Sequence, residues 1–171
     1  MKYAELTELW KKQREKYKNW QIGLMQNAEK LRIKMEEYLQ PPAEKWKEDD
    51  KPITHNYIAL VDLSKEDRPI SGNISRESIT NEGELLFGLG ITFDHGVNTY
   101  PKQLLHIPVA IRFFENNPEY SFFDTETGGI EKPIHWEKNI DQFCETMVSR
   151  IVAYLNFDPF NGPKGKSSIG F

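Results

Sequence analysis

The sequence predicts an α+β domain: a long N-terminal helix, an antiparallel sheet of about four strands in a meander, and a C-terminal helix packed on that sheet. Three observations carry this. From Tyr3 to Leu39 no proline occurs and apolar residues recur at three- and four-residue steps; four runs rich in Ile, Val, Phe and Tyr follow; a wide apolar stripe from Trp136 to Leu155 closes the order.

The first helix carries Tyr3, Leu6, Trp10, Tyr17, Trp20, Leu24, Leu31, Met35 and Tyr38 on its stripe, and Pro41 and Pro42 end it. At 1.5 Å per residue it spans roughly 55 Å, too long for a compact body of this chain length. It must overhang that body or break, and Gly23 is the weak point for a break. The strand runs are 55–63, 84–94, 103–114 and 120–125, separated by "SGN", "NEG", "HGVNTYP" and "NNP". Short connections between the last three make antiparallel hairpins, because a parallel crossover needs a dozen or more residues. The expected organisation is one domain over 1–171: helix 1–40, charged linker 41–52, sheet 53–126, helix 135–156 and an irregular tail 157–171.

With 171 residues, 38% of them hydrophobic, the chain can bury one sizeable core. No apolar leader follows Met1 and no run of about 18 apolar residues occurs, so a cytoplasmic protein without a membrane span is expected. Cys144 is the single cysteine and cannot form an internal disulfide, which agrees with a reducing compartment. Net charge is −4 but uneven: over residues 2–34 nine Lys or Arg stand against four Glu, and over 51–171 eleven stand against sixteen acidic residues. The first helix is the basic part of an acidic chain.

"SFFDTETGGI", residues 121–130, resembles the opening motif of the DEDD proofreading exonucleases, in which two carboxylates two residues apart on a strand hold divalent metals. Asp124 and Glu126 have that spacing. The resemblance covers about eight residues and departs from the family after them: only 45 residues follow Glu126, and His135 stands six residues before Asp141, not five. A strand ending in a Gly-Gly turn accounts for the same residues. The His residues offer no compact metal-ligand spacing, so no metal, cofactor or catalytic residue is assigned.

Alternation places Leu85, Phe87, Leu89, Ile91 and Phe93 on one sheet face with Leu105, Ile107, Val109, Ile111 and Phe113. Matching these faces sets Ile91 opposite Ile107, Thr92 opposite His106, Phe123 opposite Phe113 and Asp124 opposite Arg112. The other face then collects Thr92, Asp94, His106, Arg112, Asp124 and Glu126 around Gly88, Gly90, Pro108 and Ala110. Three readings fit it: a wet face with an Arg112–Asp124 pair, a seat for a helix or partner on the glycines, or a ligand site with His106 as acid or base and Arg112 as anion clamp.

"WKKQREKYKNW" interleaves basic and aromatic residues in the manner of single-strand nucleic-acid binders. Helical phase separates the two sets and the chain is acidic overall, which argues against nucleic acid. The stripe reads better as protein contact, with Leu6, Trp10, Tyr17, Trp20 and Leu24 at an oligomer interface and a closed dimer as the expected form. The leading expectation is a non-enzymatic dimeric binding or accessory protein, of a kind that fits mobile-element cargo. The competing one is a small-molecule binder or small hydrolase using His106, Arg112 and Asp124.

Overall fold

A computed structural model describes residues 2–63, 74–94, 102–123 and 135–161. The architecture is α+β, as the patterning predicts. Helix α1 (Tyr3–Leu39) runs unbroken for 37 residues, and at its start the Glu5 side chain accepts from the Lys2 backbone N–H at 2.9 Å, satisfying one end-of-helix donor. It ends where Gln40 turns left-handed (φ 45°) before the two prolines. Strands β3 (Ile58–Val61), β4 (Leu85–Phe93), β5 (Gln103–Phe114) and β6 (Asn117–Phe122) form one antiparallel sheet in sequential order. Helix α2 (Ile140–Leu155) follows.

Both helices bury their stripes on the face of Leu85, Phe87, Leu89 and Ile91. Leu24, Ala28, Leu31 and Met35 of α1 and Phe143, Cys144, Met147 and Ile151 of α2 join Leu105, Ile107, Val109 and Ile111 in a single core cluster. Burying each such aliphatic side chain contributes about 1.5–3 kcal/mol, which outweighs the weak intrinsic preference of any one segment. Polar contacts fix the helices in place. Arg32 reaches the Ile58 carbonyl at 3.3 Å while holding Glu29 and Glu36, Tyr120 donates its hydroxyl to Asn27 Oδ1 at 3.3 Å, and Lys34 meets Asp141 at 3.5 Å.

Several sequence expectations are corrected. The linker 41–52 contains β1 (Lys45–Lys47), which pairs with β2 (Thr54–Asn56) in a separate two-stranded sheet, so the run 55–63 divides at Tyr57. The β4–β5 register is slipped by two residues: Ile91 faces Leu105 and Gly90 faces His106. A slip of two preserves every side-chain face, so hydrophobic matching alone does not detect it. The β5–β6 turn is Glu115-Asn116, both at positive φ (50° and 66°), so that Phe113 faces Pro118 and Arg112 faces Glu119. Pro118 is tolerated inside β6 because this edge strand can turn its missing N–H away from the ladder. Helix α2 starts at Ile140, not 135, because Asn139 caps it with its side chain accepting from Asp141 and Gln142 N–H, and Glu137 instead pairs with Tyr120.

Candidate functional site

The sheet face opposite the helices is closed over most of its length. Gly88, Gly90, His106, Pro108, Ala110, Glu119 and Ser121 are all buried. The two glycines account for much of this. Val61 of β3 and Leu63 beyond it lean over β4, so that a Cβ at position 88 would lie 2.7 Å from Leu63 Cδ2 and one at position 90 would lie 2.9 Å from Val61 Cγ2. Glycine permits that approach, and the chain's own side chains occupy the floor where a ligand would sit.

The candidate residues do not converge there. Thr92, Asp94 and His106 lie toward one end of β4 and β5, while Arg112 lies six residues beyond His106, roughly 20 Å along the strand. At the first end, Trp46 of β1 donates its indole N–H to Thr92 at 3.2 Å, Tyr57 donates to Asp94 at 2.6 Å, and Lys102 pairs with Asp94. The Lys102 and Asp94 side chains are only 4% and 5% exposed, with the Lys102 ammonium 5.8 Å from the ring centres of both Trp46 and Tyr57. His55, its ring tilted against Trp46 at 4.9 Å, meets Glu48 at 3.0 Å; hydrogen bonds from His55 and Lys51 hold that carboxyl below its usual range. This is a clasp that fastens the β1–β2 hairpin to the sheet.

At the other end Arg112 pairs with buried Glu119, its Nη2 3.0 Å and Nε 3.1 Å from Oε1, and its guanidinium stacks 4.3 Å over Trp136. An arginine so held is engaged with its own chain rather than with an incoming anion. Arg112 thus lies opposite and pairs with Glu119; Asp124, the partner expected from sequence, and Glu126 lie outside the described residues. Among the described residues no group of three His, Cys, Asp or Glu is placed to hold a metal ion. Cys144 is buried, and burial pushes its thiol up to about 11, away from nucleophilic use.

Sequence reasoning missed Trp46, Tyr57, Lys102 and Glu119. The Lys-Trp-Lys alternation ahead of "EDDKP" carried a legible signal for a hairpin with one buried side chain. Nothing local marks Lys102 as buried, since its partner Asp94 is set by register.

The longest continuous stripe of exposed apolar residues among the described residues runs along the first half of α1; Val152, Leu155, Phe157 and Phe160 are exposed separately at the other end of the chain. Residues 2–19 are exposed apart from half-buried Thr7, and burial begins only at Trp20, which rests on the turn at Gly83. Tyr3 is 85% exposed, Trp10 56% and Tyr17 54%, while Leu24, expected at an oligomer interface, is fully buried in the chain's own core. Arg14 lies 5.0 Å over the Trp10 ring and Tyr17 packs on Trp20 at 5.0 Å. Where α1 leaves the body, Trp10, Gln13, Arg14, Glu15, Tyr17, Lys18, Gln21 and Arg76 line a groove of about 600 Å³.

No helix of the described residues is long and apolar enough to cross a membrane. No family model, curated protein or solved structure matches the chain.

Proposed function

We propose that the chain is a non-enzymatic, dimeric binding or accessory protein whose working surface is the free half of α1. One observation carries this: the stripe that α1 buries at Leu24, Ala28, Leu31 and Met35 continues past the edge of the body as exposed Tyr17, Trp10, Leu6 and Tyr3. Exposed contiguous apolar surface of several hundred Å² marks an interaction site, whereas scattered single residues need no explanation. The alternative, a small-molecule site or hydrolase on the sheet's second face, is disfavoured by the buried floor and by the separation of His106 from Arg112.

Light scattering and sedimentation across a concentration series test the proposal. The wild-type chain should run at twice its monomer mass, and Trp10→Glu with Tyr17→Glu should bring it to monomer by placing charges at an apolar contact. Because these side chains lie outside the core, the helical content and cooperative melting of the body should survive the substitutions. A wild-type chain that stays monomeric throughout sinks the proposal.

A further inference from the structure

We infer that the partner of residues 3–20 is a second copy of the same segment, lying antiparallel with a local two-fold axis between Lys11 and Lys12. This rests on the dimeric reading above and adds its geometry. At 3.6 residues per turn, Tyr3, Leu6, Trp10, Gln13, Tyr17 and Trp20 share the face that Leu24 to Met35 bury further along. A copy related by that axis sets Tyr3 against Trp20, Leu6 against Tyr17, and Trp10 against Gln13. The stripe is thus its own complement, with Gln13 covered by an indole; a parallel copy would stack Gln13 on Gln13 and Trp10 on Trp10.

Charge selects the same direction. Lys2, Glu5 and Glu8 leave the first turns with one negative charge in excess, and Lys11, Lys12, Arg14, Glu15, Lys16 and Lys18 leave the next with four positive. Parallel pairing lays the basic block on itself, and like charges across an interface are unfavourable. Antiparallel pairing lays the acidic turns toward the basic block. Glu5 of one copy and Lys16 of the other then share a flank, within about 3 Å of the same level along the axis, twice by symmetry. Tyr3, Leu6, Leu9, Trp10 and Tyr17 are each more than half exposed. With the alkyl stems of flanking lysines, they approach the roughly 800 Å² per partner that stable interfaces bury.

Spin labels on single cysteines at Lys11 and Lys18, in a Cys144→Ala background, read the geometry. Both positions lie on the outer side of the helix. In the antiparallel pair the two copies of residue 11 are nearly level, whereas those of residue 18 lie roughly 20 Å apart along the axis, so the second label pair must show the longer separation. A companion measurement uses charge: Lys16→Glu should weaken dimerisation about five-fold, and Glu5→Lys with Lys16→Glu should restore it. In a parallel dimer Lys16→Glu would relieve repulsion and tighten association. A dimer with equal label separations at 11 and 18 overturns the antiparallel geometry while leaving the dimer intact. A chain that is monomeric at every concentration overturns both, as does a monomer whose tryptophan fluorescence is quenched by single-stranded nucleic acid.

Discussion

Gly23 lies against the ring of Phe113, where a Cβ on the helix would stand 3.0 Å from Cζ and 3.1 Å from Cε2. The glycine expected from sequence to break α1 is instead a point of close contact between the helix and β5. It sits where α1 crosses the tip of the β5–β6 hairpin, and the free half of the helix begins just before it.

A sign reversal follows for substitutions at this contact. Gly23→Ala gains helix propensity of up to about 1 kcal/mol but drives the methyl into the Phe113 ring, so in the wild-type background it should be neutral or destabilising. Combined with Phe113→Leu, which removes the ring edge, the same Gly23→Ala change should stabilise by about 0.5–1 kcal/mol relative to Phe113→Leu alone. Urea unfolding of the four proteins gives the cycle. Gly23→Ala stabilising equally in both backgrounds would show that the contact is not limiting.

Arg112 makes a second prediction, because its partner Glu119 is nearly sealed from solvent while Arg112 itself is partly exposed. Arg112→Ala strands a buried carboxylate and should cost about 2–3 kcal/mol. Adding Glu119→Gln, which removes the charge, should recover a large part of that loss. A solvent-exposed pair would give single effects below about 1 kcal/mol and no recovery. Chemical denaturation midpoints at constant slope distinguish the two outcomes.

The sequence made α1 legible almost to the residue, because a proline-free apolar period ends at Pro41 and Pro42 and no tertiary contact is needed to read it. Sheet order and faces were legible for the same kind of reason, a period of two in "LLFGLGITF" and "LLHIPVAIRFF". Register was not, since shifting Ile91 from Ile107 to Leu105 leaves every apolar residue on its proper face. "NNP" was misread as the turn because Asn and Pro are turn formers; the turn is Glu115-Asn116, with Glu115 held in a left-handed conformation that carries no side-chain signature. The candidate site inherited these shifts. Register changes the cross-strand partners, Glu119 for Arg112 and Gly90 for His106, whereas the six-residue separation of His106 from Arg112 along one strand stands in the sequence itself. Val61 and Leu63 closing over the glycines depends on contacts across two strands, which no local pattern encodes.

The last prediction concerns alkaline pH and Cys144. Burial pushes its thiol up to about 11 and raises the Tyr120 hydroxyl to about 12, with the nearby thiol as the second contribution to Tyr120. Both groups are neutral when protonated, so the folded state holds their protons after the unfolded state has released them. From about pH 8 upward, where the unfolded thiol begins to ionise, the unfolded chain binds fewer protons than the folded one and stability falls as pH rises; well below that pH neither group contributes a slope. Cys144→Ala removes one of the two. It should lower stability at pH 7 by about 1 kcal/mol through the small void left in the core. Between pH 8.5 and 10.5 its stability should then decline less steeply, bringing the two curves closer by on the order of 1–2 kcal/mol. Alkylation of the native thiol at pH 8 should accordingly be slow and limited by opening of the α2 packing. Parallel stability curves for wild type and Cys144→Ala up to pH 10.5, or alkylation as fast as that of a free thiol, would show that Cys144 is not held neutral by the core.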